Sequence, residues 1–221
     1  MGGTTLRHTL IEMARRRQRP GTGSSVAFLK KRTAWMIWPD LSSALGEVPW
    51  AVAGAVATRH YMPERMTGDL DALIAVSDGP TARDRLRAAG YVYLGELSIG
   101  GSSWQTTGQA GTHVDVLECH AAWCREAIGD AAGNRDIQGL PILPLPYLVV
   151  MKLQASRVQD VGDLARMLGQ ATPETLQQVR DVVRQLAPAD VDDLESLISL
   201  GRLEMMDQRA GSDRPGEDAV G

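Results

Sequence analysis

Two aspartates separated by one residue, Asp69 and Asp71, begin an apolar run that continues to Val76. In a β-strand, residues two positions apart project from the same face, so these two carboxylates would lie side by side. Neighbouring carboxylates repel each other unless a cation lies between them, and hard oxygen ligands of this kind suit Mg²⁺. The pattern therefore predicts a strand over 69–76 that begins at a metal site.

A second predicted strand, over 112–119, carries the best candidate for a third carboxylate. Asp115 alternates there with Val114 and Val116, so it would face away from the core side of the strand or toward a cleft. If this strand lies beside the strand of Asp69 and Asp71, three carboxylates converge. Three carboxylates suffice to hold two metal ions near a triphosphate, which is the arrangement of two-metal phosphoryl transfer.

Two further features accompany the aspartates along the chain. Gly54-Ala55 lies between a predicted strand over 49–53 and a predicted helix over 55–61, where small residues let backbone N–H groups approach phosphates. Lys152 is a lone cation in an apolar helical segment, from which it would reach nucleotide phosphates. If that helix continued to residue 163, Lys152 would share a face with Asp163, and Arg157 would share one with Asp160.

The periodicity divides the chain into an α/β half and a helical half. We predict an N-terminal helix and loop over 1–25, an α/β core over 26–145, a helical C-terminal part over 146–207, and a disordered tail over 208–221 that carries almost nothing apolar. The helical half is too small and too continuous with the core to be predicted as an independent domain.

Composition narrows the class of protein. The formal net charge of -4 argues against a protein that is basic all over, although it leaves room for a local basic patch. Cys119 and Cys124 have no second pair with which to form a zinc site, and we expect both to be reduced thiols. No apolar run approaches the roughly 20 residues of a membrane span, and no signal peptide is evident. We therefore expect a cytoplasmic protein with no membrane partner.

The motifs, taken together, resemble the AbiEii-type nucleotidyltransferases of the polymerase β-like superfamily, a group that includes toxins of toxin–antitoxin and phage-defence systems. The resemblance lies in Gly54-Ala55-Val56-Ala57, in 61–67 leading into Asp69-Leu70-Asp71, and then in 140–143, 152–155 and 157–163. The matching pieces occur in the family's order and span about 35–168. Ala55 stands where relatives usually have Ser or a second Gly.

The resemblance implies the α+β fold class, with a mixed sheet flanked by helices and a helical C-terminal part. It implies that an NMP is transferred from an NTP to an acceptor, with Mg²⁺, two ions being expected, and with release of pyrophosphate. Asp69, Asp71 and Asp115 would be catalytic residues and metal ligands, and Asp115 would also be the base toward the acceptor. The nucleotide-binding residues that it implies are Gly54, Ala55, Arg65, Thr67, Lys152 and Asp160.

Three functional interpretations stay open on the sequence. A toxin would act on tRNA, another nucleic acid or a protein, and would have a cognate antitoxin as a partner. A small-molecule nucleotidyltransferase would instead modify a compound such as an antibiotic, and an acidic acceptor cleft would favour that form. A diverged, non-catalytic interaction protein is the third interpretation, and Ala55 permits it.

Overall fold

The computed structural model describes residues 2–17, 37–62, 67–107 and 111–205. The helices and strands of this part of the chain are α1 (Gly2–Arg17), α2 (Ser42–Leu45), β1 (Ala51–Val52), α3 (Gly54–Tyr61), β2 (Asp69–Ala75), α4 (Gly79–Ala88), β3 (Val92–Glu96), β4 (Gly101–Gln105), β5 (His113–Cys119), α5 (Cys124–Ala131), α6 (Leu145–Ala155), α7 (Val158–Gln170), α8 (Pro173–Leu186) and α9 (Val191–Met205). Short 3₁₀ turns over 76–78 and 188–190 precede α4 and α9.

The five strands form one mixed sheet in the order β1-β2-β5-β4-β3. The central pair, β2 and β5, is parallel, and the remaining neighbours are antiparallel. The predicted strand over 69–76 is confirmed as β2, whose residues from Ala72 onward are buried, as expected for a central strand with both faces covered. The α+β fold class, a mixed sheet with helices and a helical C-terminal region, is confirmed.

The C-terminal region packs as helices directly against the sheet half. Its central crossing joins α7 and α9 at two glycines: a Cβ built on Gly169 would lie 2.4 Å from the carbonyl oxygen of Gly201. Only residues without a side chain permit this approach of the two backbones. Buried residues of both halves, from Trp38 to Leu200, form one hydrophobic cluster, so helices and sheet share a core.

Helix α1 is tied to this C-terminal region by a buried arginine. The side chain of Arg7 is 2% exposed, and its Nε donates to Oδ2 of Asp193 at 2.7 Å. The same guanidinium pairs with Asp190, donates to the carbonyl oxygen of Leu153, and donates to Oγ of Ser156 at 2.9 Å. A buried cation with this many acceptors fixes one geometry, because removing either side would leave an unpaired charge.

One expectation needs correction, and one open point is settled. Cys119 and Cys124 form a disulfide, so the prediction of reduced thiols is wrong; the turn over 120–123 brings their Cα atoms to 6.1 Å, a normal separation for a disulfide. The helix that contains Lys152 does not continue to residue 163. It ends at Ala155; the next residue, Ser156, has a left-handed φ of 52°, and α7 begins at Val158.

Several expectations concern other parts of the chain. Arg65 and the tail over 208–221 lie outside the described residues, and the domain boundaries stay a prediction. In the described ranges, no helix is both long enough and apolar enough to cross a membrane.

Candidate functional site

Three carboxylates converge where β2 and β5 run side by side. The parallel register places Asp71 directly opposite Asp115, with Asp69 two residues earlier on the same face of β2. One oxygen from each of Asp69, Asp71 and Asp115 lies within 4.8 Å of the others. The predicted convergence of these three side chains is confirmed, and we call them the open cluster because the described residues place no basic side chain within it.

The open cluster has the electrostatics of a cation site. Burial raises the pKa of Asp71 to about 6, and the neighbouring charges of Asp69 and Asp115 add to the rise. The charge of Arg157 and a hydrogen bond from the backbone N–H of Ala55 act in the opposite direction. Three carboxylate oxygens that repel one another are a hard donor set, and a divalent ion such as Mg²⁺ would remove the repulsion.

The glycine turn is shaped by Asp71. Gly54 begins α3 with a φ of 58°, and a Cβ at this position would lie 1.7 Å from Oδ2 of Asp71. Both the left-handed backbone and the close carboxylate therefore require glycine. The next residue, Ala55, directs its backbone N–H to Asp71, so this contact with the open cluster needs no hydroxyl at position 55.

Two hydroxyls orient the other carboxylates. Thr67, which the family resemblance implicated in nucleotide binding, donates from Oγ1 to Oδ1 of Asp69. Ser103 of β4 lies opposite Asp115 in the sheet register and donates from Oγ to Oδ1 of Asp115 at 2.6 Å. Sequence reasoning missed Ser103. The available signal was the short stretch of sequence between β4 and β5, which are antiparallel neighbours.

The open cluster lies on one wall of a cleft of about 680 Å³. Helices α6 and α7 form the opposite wall, where Nζ of Lys152 donates to Asp160 at 2.9 Å and to Asp163 at 2.7 Å. All three side chains are at least nine-tenths buried. We call them the closed cluster, because the lysine is already paired with two carboxylates.

The cleft also has an apolar side that sequence reasoning missed. Trp123 lines it and stacks on Tyr147, with ring centroids 5.6 Å apart. Leu148 and Met151 of α6 line the same side. The cleft thus combines a charged end and an apolar side, as ligand-binding sites commonly do. No sequence pattern pointed to Trp123, because its partner comes from a helix more than twenty residues away.

Eight of the nine residues proposed from the sequence lie around this one cleft. They are Gly54, Ala55, Thr67, Asp69, Asp71, Asp115, Lys152 and Asp160. Arg65 falls outside the described residues. The individual roles of these side chains stay predictions, while their common location is a structural result.

Comparisons with known proteins give structural similarities at low identity. No family model matches the chain, and no curated protein matches it. The antibiotic-resistance factor ANT(2'')-Ia, in a crystal structure with adenylyl-2''-tobramycin, is 16% identical with a TM-score of 0.40, over 74% of this chain and 93% of that chain. An antigenic nucleotidyltransferase-like protein from Paracoccidioides brasiliensis is 15% identical with a TM-score of 0.42, over 86% of this chain and 92% of that chain.

A third similarity is to terminal uridylyl transferase 4 from Trypanosoma brucei with bound GTP, at 11% identity and a TM-score of 0.30, over 80% of this chain and 58% of that chain. All three scores lie below 0.5.

Proposed function

We propose that this protein is a Mg²⁺-dependent nucleotidyltransferase that moves an NMP from an NTP to an acceptor. The convergence of Asp69, Asp71 and Asp115 beside the Gly54 turn carries the proposal. The carboxylates share a face, repel one another and line a cleft large enough for a nucleotide. Such an arrangement is expected at a site that binds divalent cations. When bound, Mg²⁺ would supply charge stabilisation to the transferring phosphoryl group.

The proposed reaction is an in-line displacement at the α-phosphorus. An acceptor hydroxyl oxygen forms a bond to that phosphorus, the bond between the α-phosphorus and its bridging oxygen breaks, and pyrophosphate leaves with the bond electrons. The hydroxyl proton passes to a carboxylate oxygen, for which Asp115 is our candidate. Asp69 and Asp71 would hold the metal, while Gly54, Ala55 and Thr67 would lie beside the phosphates. Lys152 and Asp160 belong to the wall that faces the nucleotide.

The test is transfer of label from α-labelled NTPs in the presence of Mg²⁺ and either total tRNA or a set of small-molecule acceptors. We expect Asp71→Ala to lower the rate about a thousand-fold, because loss of a metal ligand removes several kcal/mol of transition-state stabilisation. Asp84→Ala is the matched control, since Asp84 lies on the exposed surface of α4 and should leave the rate unchanged. A wild-type protein that binds neither metal nor NTP would refute the proposal.

The leading candidate for the acceptor is a nucleic acid such as tRNA, or a protein. The enzyme would then be the toxin of a toxin–antitoxin or phage-defence system, and it would have a cognate antitoxin as a partner. A second candidate is a small molecule, for instance an antibiotic, and the charges of the helical region favour it. Arg180 pairs with Glu195, and Arg184 pairs with Asp181. These two ion pairs leave the surface of α8 little net positive charge, which weakens the case for a nucleic-acid acceptor.

The third interpretation, a non-catalytic interaction protein, conflicts with the open cluster. A chain without catalysis would have no reason to keep Asp71 buried beside two other carboxylates, where its ionised form is disfavoured. Nucleotide transfer separates these interpretations, because a non-catalytic protein could bind a divalent cation without transferring an NMP. We also propose a cytoplasmic location.

A further inference from the structure

Two basic side chains lie in the α6–α7 wall of the cleft, and their surroundings differ. Lys152 is 6% exposed and has a carboxylate oxygen on each of two sides. Arg157 is 62% exposed, lines the same cleft, and pairs with Asp160 through its Nε at 3.1 Å. A guanidinium carries five N–H donors, so the ion pair with Asp160 uses one of them. Among the described residues, the terminal nitrogens of Arg157 remain available to an anion.

The backbone of Arg157 is fixed even though its side chain is exposed. Arg157 caps α7, and Oδ2 of Asp160 accepts from its backbone N–H at 3.3 Å. The preceding residue, Ser156, adopts a left-handed conformation that costs an ordinary residue about 1 kcal/mol. Its hydroxyl donates to Leu153 O at 2.6 Å and accepts from the buried Arg7 at 2.9 Å. The turn therefore presents Arg157 from a rigid base.

Arg157 also faces the open cluster. Its charge acts on Asp71, which lies on the other wall of the cleft. A polyphosphate chelated at the open cluster would extend its remaining negative oxygens into the cleft that Arg157 lines. The planar fork of a guanidinium matches phosphate oxygens better than an ammonium does, and it is less costly to dehydrate.

We infer that Arg157, rather than Lys152, makes the direct ionic contact with the polyphosphate of the bound nucleotide. This inference rests on the proposed function for the presence of a nucleotide. Lys152 then serves the fold instead, because it pairs with both Asp160 and Asp163 and so keeps the wall beneath Arg157 folded. The sequence suggested that Lys152 reaches the phosphates, and this inference assigns that contact to Arg157 instead.

The experiment measures binding of inorganic tripolyphosphate with Mg²⁺ by calorimetry, alongside binding of Mn²⁺ alone. Arg157→Gln should weaken tripolyphosphate binding about 10- to 100-fold, because charge-assisted hydrogen bonds are lost. Binding of Mn²⁺ alone should change less than about twofold, since the metal ligands are untouched. Arg157→Lys should recover part of the loss, because it restores the charge without the fork.

Arg184→Gln is the matched control. Arg184 is 59% exposed and pairs with an aspartate three residues away, as Arg157 does, but it lies on α8 away from the cleft. It should bind tripolyphosphate like the wild type, and thermal unfolding should show all variants folded. Binding by Arg157→Gln within twofold of wild type overturns the inference, and so does an equal loss for Arg184→Gln.

The outcomes also separate this inference from the proposed function. A wild type that binds Mn²⁺ but no tripolyphosphate overturns the inference. Binding that depends on Arg157, together with no transfer to any acceptor, supports the inference and counts against the transferase proposal.

Discussion

Both walls of the cleft hold closely spaced aspartates, but the two groups differ in whether a basic side chain lies among the carboxylates. The closed cluster contains its own cation, since Lys152 lies 2.9 Å from Asp160 and 2.7 Å from Asp163. The open cluster contains three carboxylates and, among the described residues, no basic side chain, and Asp71 responds with a raised pKa. A buried charge needs a partner, and of these two clusters only the closed one receives it from the chain.

This difference separates structure from function. The closed cluster, in which one lysine pairs with two buried aspartates, holds two helices together whether or not a ligand is present. A group of like charges destabilises the fold until an ion from solution binds to it. Sites for binding or catalysis commonly reduce stability in this way. We therefore expect substitutions on the two walls to have effects of opposite sign on stability.

The largest expected effect comes from the closed cluster. Lys152→Met removes the buried cation that lies between Asp160 and Asp163, and Asp160 keeps only its pair with the exposed Arg157, so the substitution should lower the free energy of unfolding by about 3–5 kcal/mol. Urea denaturation of the metal-free protein measures this loss. Arg184→Met, which removes an exposed cation from an i,i+3 pair, should cost less than about 1 kcal/mol. Equal effects of the two substitutions would remove the distinction between the walls.

An intermediate effect, with the opposite sign, is expected in the open cluster. Because the pKa of Asp71 is raised from 3.8 to about 6, its contribution to stability is fully present below about pH 4 and is lost as the pH rises through about 6. Asp71→Asn cannot lose a proton, so it should stabilise the metal-free protein by about 3 kcal/mol at pH 7.

Urea denaturation of wild type and Asp71→Asn at pH 4 and pH 7, with chelator, checks this prediction. The two proteins should unfold alike at pH 4 and differ at pH 7. A stabilisation of equal size at both pH values would contradict the electrostatic origin of the effect.

The smallest expected effect concerns the hydroxyl that orients Asp115. Ser103→Ala removes the 2.6 Å hydrogen bond to Oδ1 of Asp115, and it should weaken divalent cation binding about tenfold while the fold persists. Ser103→Thr retains the hydroxyl and suits a strand, so it should bind metal like the wild type. If Ala and Thr at this position weakened binding equally, Ser103 would have no orienting role.

The sequence predicted the open cluster well because its signal is local. A period of two places Asp69 and Asp71 on one face, and the alternation around Asp115 supplied the third carboxylate. Only the pairing of β2 with β5 had to be assumed, and the structure confirms it. The glycine turn was also predictable, although its contact with Asp71 was not.

The helical wall was harder to predict because its geometry depends on contacts distant in sequence. Neither Gly nor Pro marks the end of α6, and the left-handed Ser156 is held by Arg7 from the other end of the chain. The spacing of Cys119 and Cys124 in the sequence does not predict their disulfide, because the turn between them brings the two residues together. The stacking of Trp123 on Tyr147 likewise joins separate helical segments.

The central claim is that the open cluster binds a divalent cation, and anomalous diffraction from crystals soaked in Mn²⁺ tests it most directly. Mn²⁺ accepts the same oxygen ligands as Mg²⁺. We predict an anomalous peak at about 2.1 Å from carboxylate oxygens of Asp69, Asp71 and Asp115. The peak should vanish in Asp71→Asn. Mn²⁺ bound elsewhere on the protein, with no peak at these three carboxylates, would contradict the account.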